Sequence, residues 1–173
     1  MDDIERAVDD GVNVVKAITR DPRLVPGAGA AEMQILEKVS AIAEKTPGLS
    51  QYAIKKYAEA FEAVPRILAE SAGLDATEVL ARLYTAHHST SKPKDGDEEE
   101  EIPCIGVDIE NNDGTGTLDA EEEGIMDLMI TKSWAIKLAT EAARTVLSVD
   151  QIIVARQAGG PKPPGPNPNW DED

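Results

Sequence analysis

The fold is organised around the stretch DIERAVDDGVNVVKAITRDPRLVPGAGAAE, residues 3–32. Up to Ile18 its hydrophobic residues recur every three to four positions, which predicts an amphipathic helix. The Asp21-Pro22 pair then breaks the helical pattern, and a Gly-Ala-Gly loop precedes a second helix. One apolar stripe of the first helix comprises Ile4, Ala7, Val8, Gly11, Val15 and Ile18. We expect this stripe to pack against a core.

Two adjacent aspartates fall on different sides of the first helix. Asp9 points almost opposite the apolar stripe, whereas Asp10 lies roughly 100° from the centre of the stripe, beside Val14. A carboxylate at that boundary can be held by packing and still reach a cleft. The alternative interpretation of Asp10 is an ordinary helix-face acid next to a core stripe.

The loop Pro26–Gly29 is a candidate ligand-binding turn. Glycine admits positive φ angles and lets a ligand approach the backbone. The helix that follows directs free N–H groups at the loop, which favours an anion there. A Gly-x-Gly turn before a helix is also common without any ligand, so the loop alone does not decide the function.

Helical periodicity continues after the loop, and short turns favour an antiparallel bundle. A kink or restart is expected at Pro65, because proline lacks the N–H group and biases the preceding residue away from helical geometry. The last predicted helix is apolar around most of its circumference, so we expect it to be buried between others. The helices predicted after the loop span residues 31–44, 51–64, 76–87 and 131–147.

Two segments have the residue pattern of strands. Residues 102–109 alternate in polarity and contain β-branched side chains, and the turn signal at 112–114 would return the chain near Thr117. Residues 150–155 predict a short strand near the C-terminus. Between the helices and the first strand lies the acidic insert 91–101, interpreted as a flexible, solvated insertion.

Composition limits the classes of protein that fit this chain. Of its 173 residues 41% are hydrophobic but only 3% aromatic, which favours an aliphatic, alanine-rich core of packed helices. The net charge of −16 argues against nucleic acid and anionic membranes as partners, and no apolar run is long enough to span a bilayer. The single cysteine, Cys104, cannot form an internal disulfide, which fits a reducing compartment such as the cytosol.

Two further motifs resemble ligand-binding sites, but each is better explained without a ligand. Adjacent histidines 87 and 88 point to different sides of a helix, and no cysteine or carboxylate is spaced to join them on a metal. They are interpreted as a solvated helix end. The stretch DGTGT, residues 113–117, looks like a phosphate-binding motif, but it follows a turn and precedes an acidic segment.

Several stretches occur in an order that is typical of one protein family. They are ERAVDD (5–10), VVK (14–16), LVPGAGAAE (24–32), PGLSQYAIKK (47–56), AEAFEAVPR (58–66), GIMD (124–127), WAIKLAT (134–140), VDQII (149–153) and GGPKPP (159–164). Together they resemble the second half of group II chaperonin subunits. Since such a subunit is about three times longer, the resemblance implies that this chain corresponds to a fragment.

The resemblance also implies a fold. It predicts a mainly α-helical bundle, the C-terminal half of a chaperonin equatorial domain, with a small β-hairpin and a short C-terminal strand. Residues 1–29 would be the end of the intermediate domain and the entry to the equatorial domain. Residues 30–157 would form the equatorial half with its acidic insert, and 158–173 a disordered tail.

The function implied by the resemblance is ATP hydrolysis that drives protein folding in a chamber. The partners would be other chaperonin subunits in a hetero-oligomeric double ring in the cytoplasm, together with unfolded client proteins. ATP and Mg²⁺ would be the cofactors, but the phosphate loop and the metal-binding aspartate belong to the half that this chain lacks. The fragment alone is therefore expected to be inactive, and Asp10 matches the acid that orients the attacking water.

The resemblance assigns five further residues to the nucleotide. Gly27 and Gly29 would line it, in a loop where the family normally has three glycines and this chain has an alanine between two. Gly106, Val107 and Asp127 would frame the adenine and the ribose, with Asp127 bonding the ribose hydroxyls. Asp127 could instead, or in addition, cap the helix that follows it.

Two other classes of function fit parts of the sequence. Composition alone favours a helical protein-interaction module without nucleotide chemistry, which would tolerate replacement of Asp10 and Asp127. The net charge suggests an acidic, partly disordered scaffold or histone-type chaperone. Against the scaffold, the acidic residues are spread over helix faces as well as concentrated in one loop and the tail.

Overall fold

The computed structural model describes residues 2–90, 103–110, 114–155 and 159–160. In this part of the chain the protein is mainly helical, with six helices and four strands of three residues each. In chain order the elements are α1 (Asp2–Ile18), β1 (Leu24–Pro26), α2 (Ala30–Lys45), α3 (Ser50–Ala60), α4 (Ala63–Ser71), α5 (Ala76–Thr90), β2 (Ile105–Val107), β3 (Thr117–Asp119), β4 (Met126–Leu128) and α6 (Met129–Leu147).

The chain divides into two compact units, Met1–Ala135 and Ile136–Asp173. The hydrophobic core of the first unit lies where α2, α4 and α5 meet β2. Its side chains are aliphatic or small, as the low aromatic content predicts. The buried members of this core are Met33, Ala69, Ala76, Val79, Leu80, Leu83 and Val107. Because α2 contributes to the core directly, the helix that follows the glycine loop is firmly packed.

Two helices replace the single helix expected over residues 51–64. α3 ends at Ala60 and α4 begins at Ala63, so Pro65 is the third residue of α4. The first N–H groups of a helix have no partner within it, and the missing N–H of Pro65 therefore costs nothing at this position. The predicted restart is confirmed, but it lies before the proline rather than at it.

The predicted hairpin is present and shorter than expected. β2 pairs antiparallel with β3, with Ile105 opposite Asp119 and Val107 opposite Thr117. The chain thus returns at Thr117, as the turn signal predicts. Residues 111–113 of that turn lie outside the described part of the chain.

A second two-stranded sheet was not predicted from the sequence. β1 pairs antiparallel with β4, and the register places Val25 opposite Asp127. Strands of three residues are too short to show alternating polarity, so no sequence pattern marks them. This pairing joins the segment before the glycine loop to a segment about a hundred positions later in the chain.

Two expectations about buried helices are wrong for the chain described here. The stripe of α1 is exposed, with Ile4 at 72% of its maximum accessibility, and so is Leu138 of α6 at 64%. α6 has no buried residue. Apolar periodicity indicates which face of a helix can be buried. It does not indicate whether the residues that would cover this face belong to the same stretch of chain. None of the described helices combines the length and hydropathy needed to cross a bilayer.

The predicted strand over residues 150–155 is also wrong. Residues 151–155 have no regular secondary structure and are exposed. A segment with high strand propensity forms a strand only where a neighbouring strand supplies hydrogen bonds. No described strand pairs with this segment. The acidic insert 91–101 and nearly all of the tail, except residues 159–160, lie outside the described residues.

Candidate functional site

The glycine loop, residues 27–29, connects β1 to α2 and is enclosed by later segments of the chain. The N–H of Gly27 donates to the carbonyl of Ile125 over 2.8 Å. A Cβ atom added at Gly27 would lie 3.0 Å from both Cγ2 and the carbonyl oxygen of Ile125. A side chain is therefore disfavoured here, because the residue before β4 approaches the loop backbone so closely.

Ala28 takes an unusual backbone conformation, with a φ of 52°. This left-handed region costs a residue with a side chain about 1–2 kcal/mol, and glycine usually occupies it. A glycine at this position would adopt the same conformation without that cost. The carbonyl of Ala28 accepts a 2.8 Å hydrogen bond from the N–H of Val107, which ties the strained residue to β2.

Gly106 lies against Ala28 across this contact. A Cβ atom on Gly106 would be 2.6 Å from the Cβ of Ala28 and 2.7 Å from its carbonyl oxygen. Neither distance is tolerated between real atoms, so a side chain at position 106 would push β2 away from the loop. The contact between Gly106 and Ala28 consequently fixes how closely the hairpin and the loop approach each other.

Gly29 completes the loop, also in the left-handed region, with a φ of 81°. A Cβ atom there would lie 3.1 Å from the Cβ of Pro65 in α4. The carbonyls of Gly27 and Gly29 accept hydrogen bonds from Ala30 and Met33, which start α2. The loop is thus bounded by β4, β2 and α4 and leads directly into a helix.

A charged cluster lies beside the loop and consists of Glu32, Asp127 and Lys132. Nζ of Lys132 is 3.0 Å from Oδ2 of Asp127 and also donates to Oε1 of Glu32. Oδ2 of Asp127 lies 3.4 Å from the position of a Cβ atom on Gly27. Burial lowers the pKa of Lys132, but its hydrogen bonds to Glu32 and Asp127 more than offset burial, and the pKa is raised. Lys132 is accordingly charged at neutral pH.

Five of the six residues that the sequence assigns to a nucleotide site therefore surround one loop. Val107, Gly106 and Asp127 come to it from β2 and β4, while Gly27 and Gly29 belong to the loop itself. The capping interpretation of Asp127 is not realised, because α6 begins at Met129 and the carboxylate bonds Lys132 instead. Their role in binding a nucleotide stays a prediction.

Asp10 lies in a different environment from the other five. α1 contacts β4, but Asp10 itself is exposed, as Asp9 is. Within the described part of the chain the structure gives the Asp10 carboxylate no hydrogen bond or ion pair. The difference in environment expected for Asp9 and Asp10 is not present here, because the apolar stripe that should define it is exposed.

Periodicity did not single out Glu32 and Lys132, the partners of Asp127. Each occupies the first turn of a helix, where an acidic residue is favoured and a basic one is not, and the two are 100 positions apart. Their pairing depends on β1 and β4 coming together. Glu32 is part of the quoted stretch 24–32, which was the one sequence signal that pointed to it.

The interpretation of the two histidines as a solvated helix end is wrong for His87. His87 is 2% exposed, and its Nε2 lies 2.8 Å from the carbonyl oxygen of Ile105 in β2. Burial lowers the pKa of His87. It lies four positions after Leu83, on the core stripe of α5, so its spacing could have indicated burial. His88 is exposed, with Nδ1 3.6 Å from Glu37.

Comparison with known proteins shows the family of this chain. The sequence profile of the TCP-1/cpn60 chaperonin family matches residues 1–157. The chain belongs to this family. The resemblance to group II chaperonins is thereby confirmed, and so is the mainly helical fold with a small hairpin.

Two relatives of this chaperonin chain are theta subunits. It is 55% identical over its whole length to the probable T-complex protein 1 subunit theta of Schizosaccharomyces pombe and covers 30% of that protein. It is 53% identical to the T-complex protein 1 subunit theta of Homo sapiens and covers 29% of it. The chain thus spans about 30% of the length of the curated relatives that it matches.

A solved chaperonin structure has the same fold. The open-state monomer of a group II chaperonin from Methanococcoides burtonii matches 86% of this chain with a TM-score of 0.67 and 28% sequence identity. The match covers 33% of that structure's chain. Sequence and structure comparisons therefore agree that the chain is similar to about one third of a chaperonin subunit.

Proposed function

We propose that this chain is the part of a chaperonin subunit that holds the sugar and base of ATP, within an assembled subunit that hydrolyses ATP. Hydrolysis would drive the folding of unfolded proteins inside a hetero-oligomeric double ring in the cytoplasm. The observation that carries the proposal is the glycine loop, enclosed by Asp127 on one side and by Gly106 and Val107 on the other, in a member of the chaperonin family.

The residues around the loop fit the sugar and base of a nucleotide better than its phosphates. Oδ1 of Asp127 accepts no hydrogen bond within the described residues, and the side chain is 47% exposed, so it is available to ribose hydroxyls. The two carboxylates and one ammonium of the charged cluster leave one net negative charge there. That charge favours neutral hydroxyl groups over phosphate oxygens.

The remaining chemistry is assigned to the rest of the intact subunit. When bound, Mg²⁺ neutralises charge on the phosphates and positions them for transfer. Within the described residues, no three histidine, cysteine, aspartate or glutamate side chains are grouped to hold a metal ion. As the resemblance implies, we place the metal ligand and the phosphate loop in a part of the intact subunit outside this chain. In the assembled subunit Asp10 would orient the attacking water.

The exposed apolar surfaces support the assembly part of the proposal. Leu138, Val146 and Leu147 of α6 are largely exposed, as are Ile4 and Val8 of α1. Large exposed apolar patches of this kind are typical of surfaces that are covered in an assembly. We propose that the rest of the subunit and the neighbouring subunits of the ring cover them.

Equilibrium binding of ATP to the purified intact subunit tests the nucleotide site. Asp127→Ala should weaken ATP binding by roughly tenfold or more, because a hydrogen bond to a charged acceptor is lost. The matched control is Asp150→Ala, which removes the same charge at an exposed position that makes no contact in the described residues. Equal ATP affinities of Asp127→Ala and wild type would contradict the proposed role of this site.

The isolated chain supplies a second test. Because half of the ATP site is assigned elsewhere, the 173-residue chain should release no phosphate above the buffer rate in a steady-state assay. Clear turnover by the chain alone would overturn the assignment. If the intact subunit failed to bind ATP at all, the helical interaction module without nucleotide chemistry would be the better explanation.

A further inference from the structure

Lys132 connects two acidic side chains that belong to distant parts of the chain. Its ammonium group bonds Oε1 of Glu32 in the first turn of α2 and lies 3.0 Å from Oδ2 of Asp127 in β4. The Lys132 side chain is 23% exposed and that of Glu32 only 9%. The ammonium is therefore held at one end by a carboxylate that is packed inside the molecule.

The Asp127 carboxylate, on the other side of Lys132 from Glu32, is only partly engaged. Only Oδ2 of Asp127 is engaged by Lys132, whereas Oδ1 accepts no hydrogen bond from any described residue. Oδ2 also faces the loop, 3.4 Å from where a Cβ atom on Gly27 would lie. Lys132 thus holds one oxygen of Asp127, while the other is free to accept a hydrogen bond.

We propose that Lys132 is a positioning residue for nucleotide recognition, which orients Asp127 so that its second oxygen accepts hydrogen bonds from the ribose hydroxyls. Glu32 serves as the buried anchor of Lys132. The inference rests on the proposed function and adds two residues that the sequence did not assign to the site. A bond to Oδ2 restricts rotation of the carboxylate, so the geometry needed by the sugar exists before binding.

Lys132 also acts on any bound nucleotide through its charge, and a test must separate the two effects. Replacing Lys132 with a neutral residue leaves two unbalanced carboxylates beside the loop, which would repel every nucleotide triphosphate equally. Loss of orientation would instead act only on nucleotides with ribose hydroxyls. The ratio of two affinities therefore reports orientation and is insensitive to the charge.

The experiment measures binding of ATP and of 2′,3′-dideoxy-ATP to the intact subunit by calorimetry. The wild type should prefer ATP by roughly tenfold or more, since the hydroxyls bond a charged acceptor. In Lys132→Met the preference should fall towards one, as in Asp127→Ala. Lys132→Arg keeps the charge and can bond two carboxylates, so it should restore the preference.

A double variant controls for destabilisation of the fold. Lys132→Met leaves the Glu32 carboxylate buried without its partner, which can destabilise the subunit. In the double variant Lys132→Met with Glu32→Gln no uncompensated buried charge remains, and the preference should be lost there as well. Circular dichroism checks that each variant is folded.

The outcomes distinguish this inference from the proposed function. A wild-type preference that persists in Lys132→Met or in the double variant, even with both affinities reduced, would mean that the ion pair only stabilises the fold. A wild type that binds ATP without any preference would overturn the inference while leaving ATP binding intact. A subunit that binds neither nucleotide would overturn the proposed function itself.

Discussion

Two aspartates assigned to one nucleotide site lie in opposite environments in this chain. Asp127 is part of a packed cluster, bonded to Lys132 and in contact with the glycine loop, whereas Asp10 is exposed on α1. The described neighbours of the loop, in β2, β4 and α4, all belong to this chain. The apolar stripe of α1 beside Asp10 is instead exposed. Residues that a family resemblance assigns to one site can therefore differ in how much of their surroundings this chain supplies.

The sharpest test of this comparison replaces Asp10 in the intact, assembled subunit. Asp10→Ala should leave ATP binding largely unchanged but slow hydrolysis by about 10²–10⁴-fold, because a water-orienting carboxylate acts mostly in the transition state. Hydrolysis by this one subunit must be measured, since the other members of the ring would mask its loss.

The matched control for Asp10 is its neighbour. Asp9→Ala removes a solvated charge from the same helix and should change stability by no more than about 0.5 kcal/mol, with normal hydrolysis. Equal, small effects of the two substitutions would show that Asp10 is an ordinary surface acid.

The second test compares a glycine from each region. Gly106→Ala should lower the free energy of unfolding by about 2 kcal/mol or more, because its Cβ atom would clash with the side chain and carbonyl of Ala28. Gly11→Ala in α1 meets no atom within 4 Å and should instead stabilise by up to about 1 kcal/mol. Urea unfolding of the 173-residue chain, in which the α1 stripe is exposed, measures both. A harmless Gly106→Ala would mean that β2 and the loop separate easily.

The third test uses the buried and the exposed histidine. Because burial lowers the pKa of His87 in the folded state, its ring is neutral in both states above the unfolded value of about 6.5. Below about pH 6.5 the unfolded chain binds the proton first, so stability should fall with pH until the lowered folded pKa is reached.

Unfolding midpoints at pH 7.5 and 5.5 check this prediction about His87. The His87→Gln variant should lose part of the wild-type decrease between the two values, although its stability at pH 7.5 is lower. His88→Gln, at an exposed position, should keep the wild-type decrease. The same decrease in His87→Gln as in wild type would exclude His87 as its source.

The smallest expected effect concerns the strained alanine of the loop. Ala28→Gly relieves a left-handed conformation that costs about 1–2 kcal/mol, but the unfolded chain gains roughly 0.5–1 kcal/mol of entropy. The net gain in stability should lie between about 0 and 1.5 kcal/mol. Ala7→Gly in the exposed helix α1 relieves no strain and only raises the entropy of the unfolded chain. It should therefore lower the free energy of unfolding by about 1 kcal/mol. Destabilisation of similar size by both substitutions would indicate that Ala28 is not strained.

Patterns of local origin were predicted well. Apart from α4, for which no separate range was predicted, the helices begin and end within a few residues of the predicted positions, and the hairpin returns at Thr117. The restart near Pro65 also follows from chemistry within a few residues. Motif resemblance pointed to the glycine loop and to three residues beside it, Gly106, Val107 and Asp127, because those motifs were complete in the chain.

Features that depend on distant contacts were missed. The β1–β4 sheet, the Glu32–Lys132–Asp127 cluster and the burial of His87 all join segments that are far apart in sequence. The strand expected at 150–155 failed for the same reason, since its propensity had no partner strand among the described residues. Helix α6 has an apolar circumference but no buried residue.

The sequence by itself determined the helical periodicity, the glycine loop, the turn chemistry and membership of the chaperonin family, since each is encoded in neighbouring residues or continuous motifs. Only the tertiary structure decided that Ala28 is left-handed, that Gly106 approaches it closely and that Lys132 joins Glu32 to Asp127. The physical reason is that hydrogen bonds and close packing act over a few ångströms in space, whatever the separation along the chain.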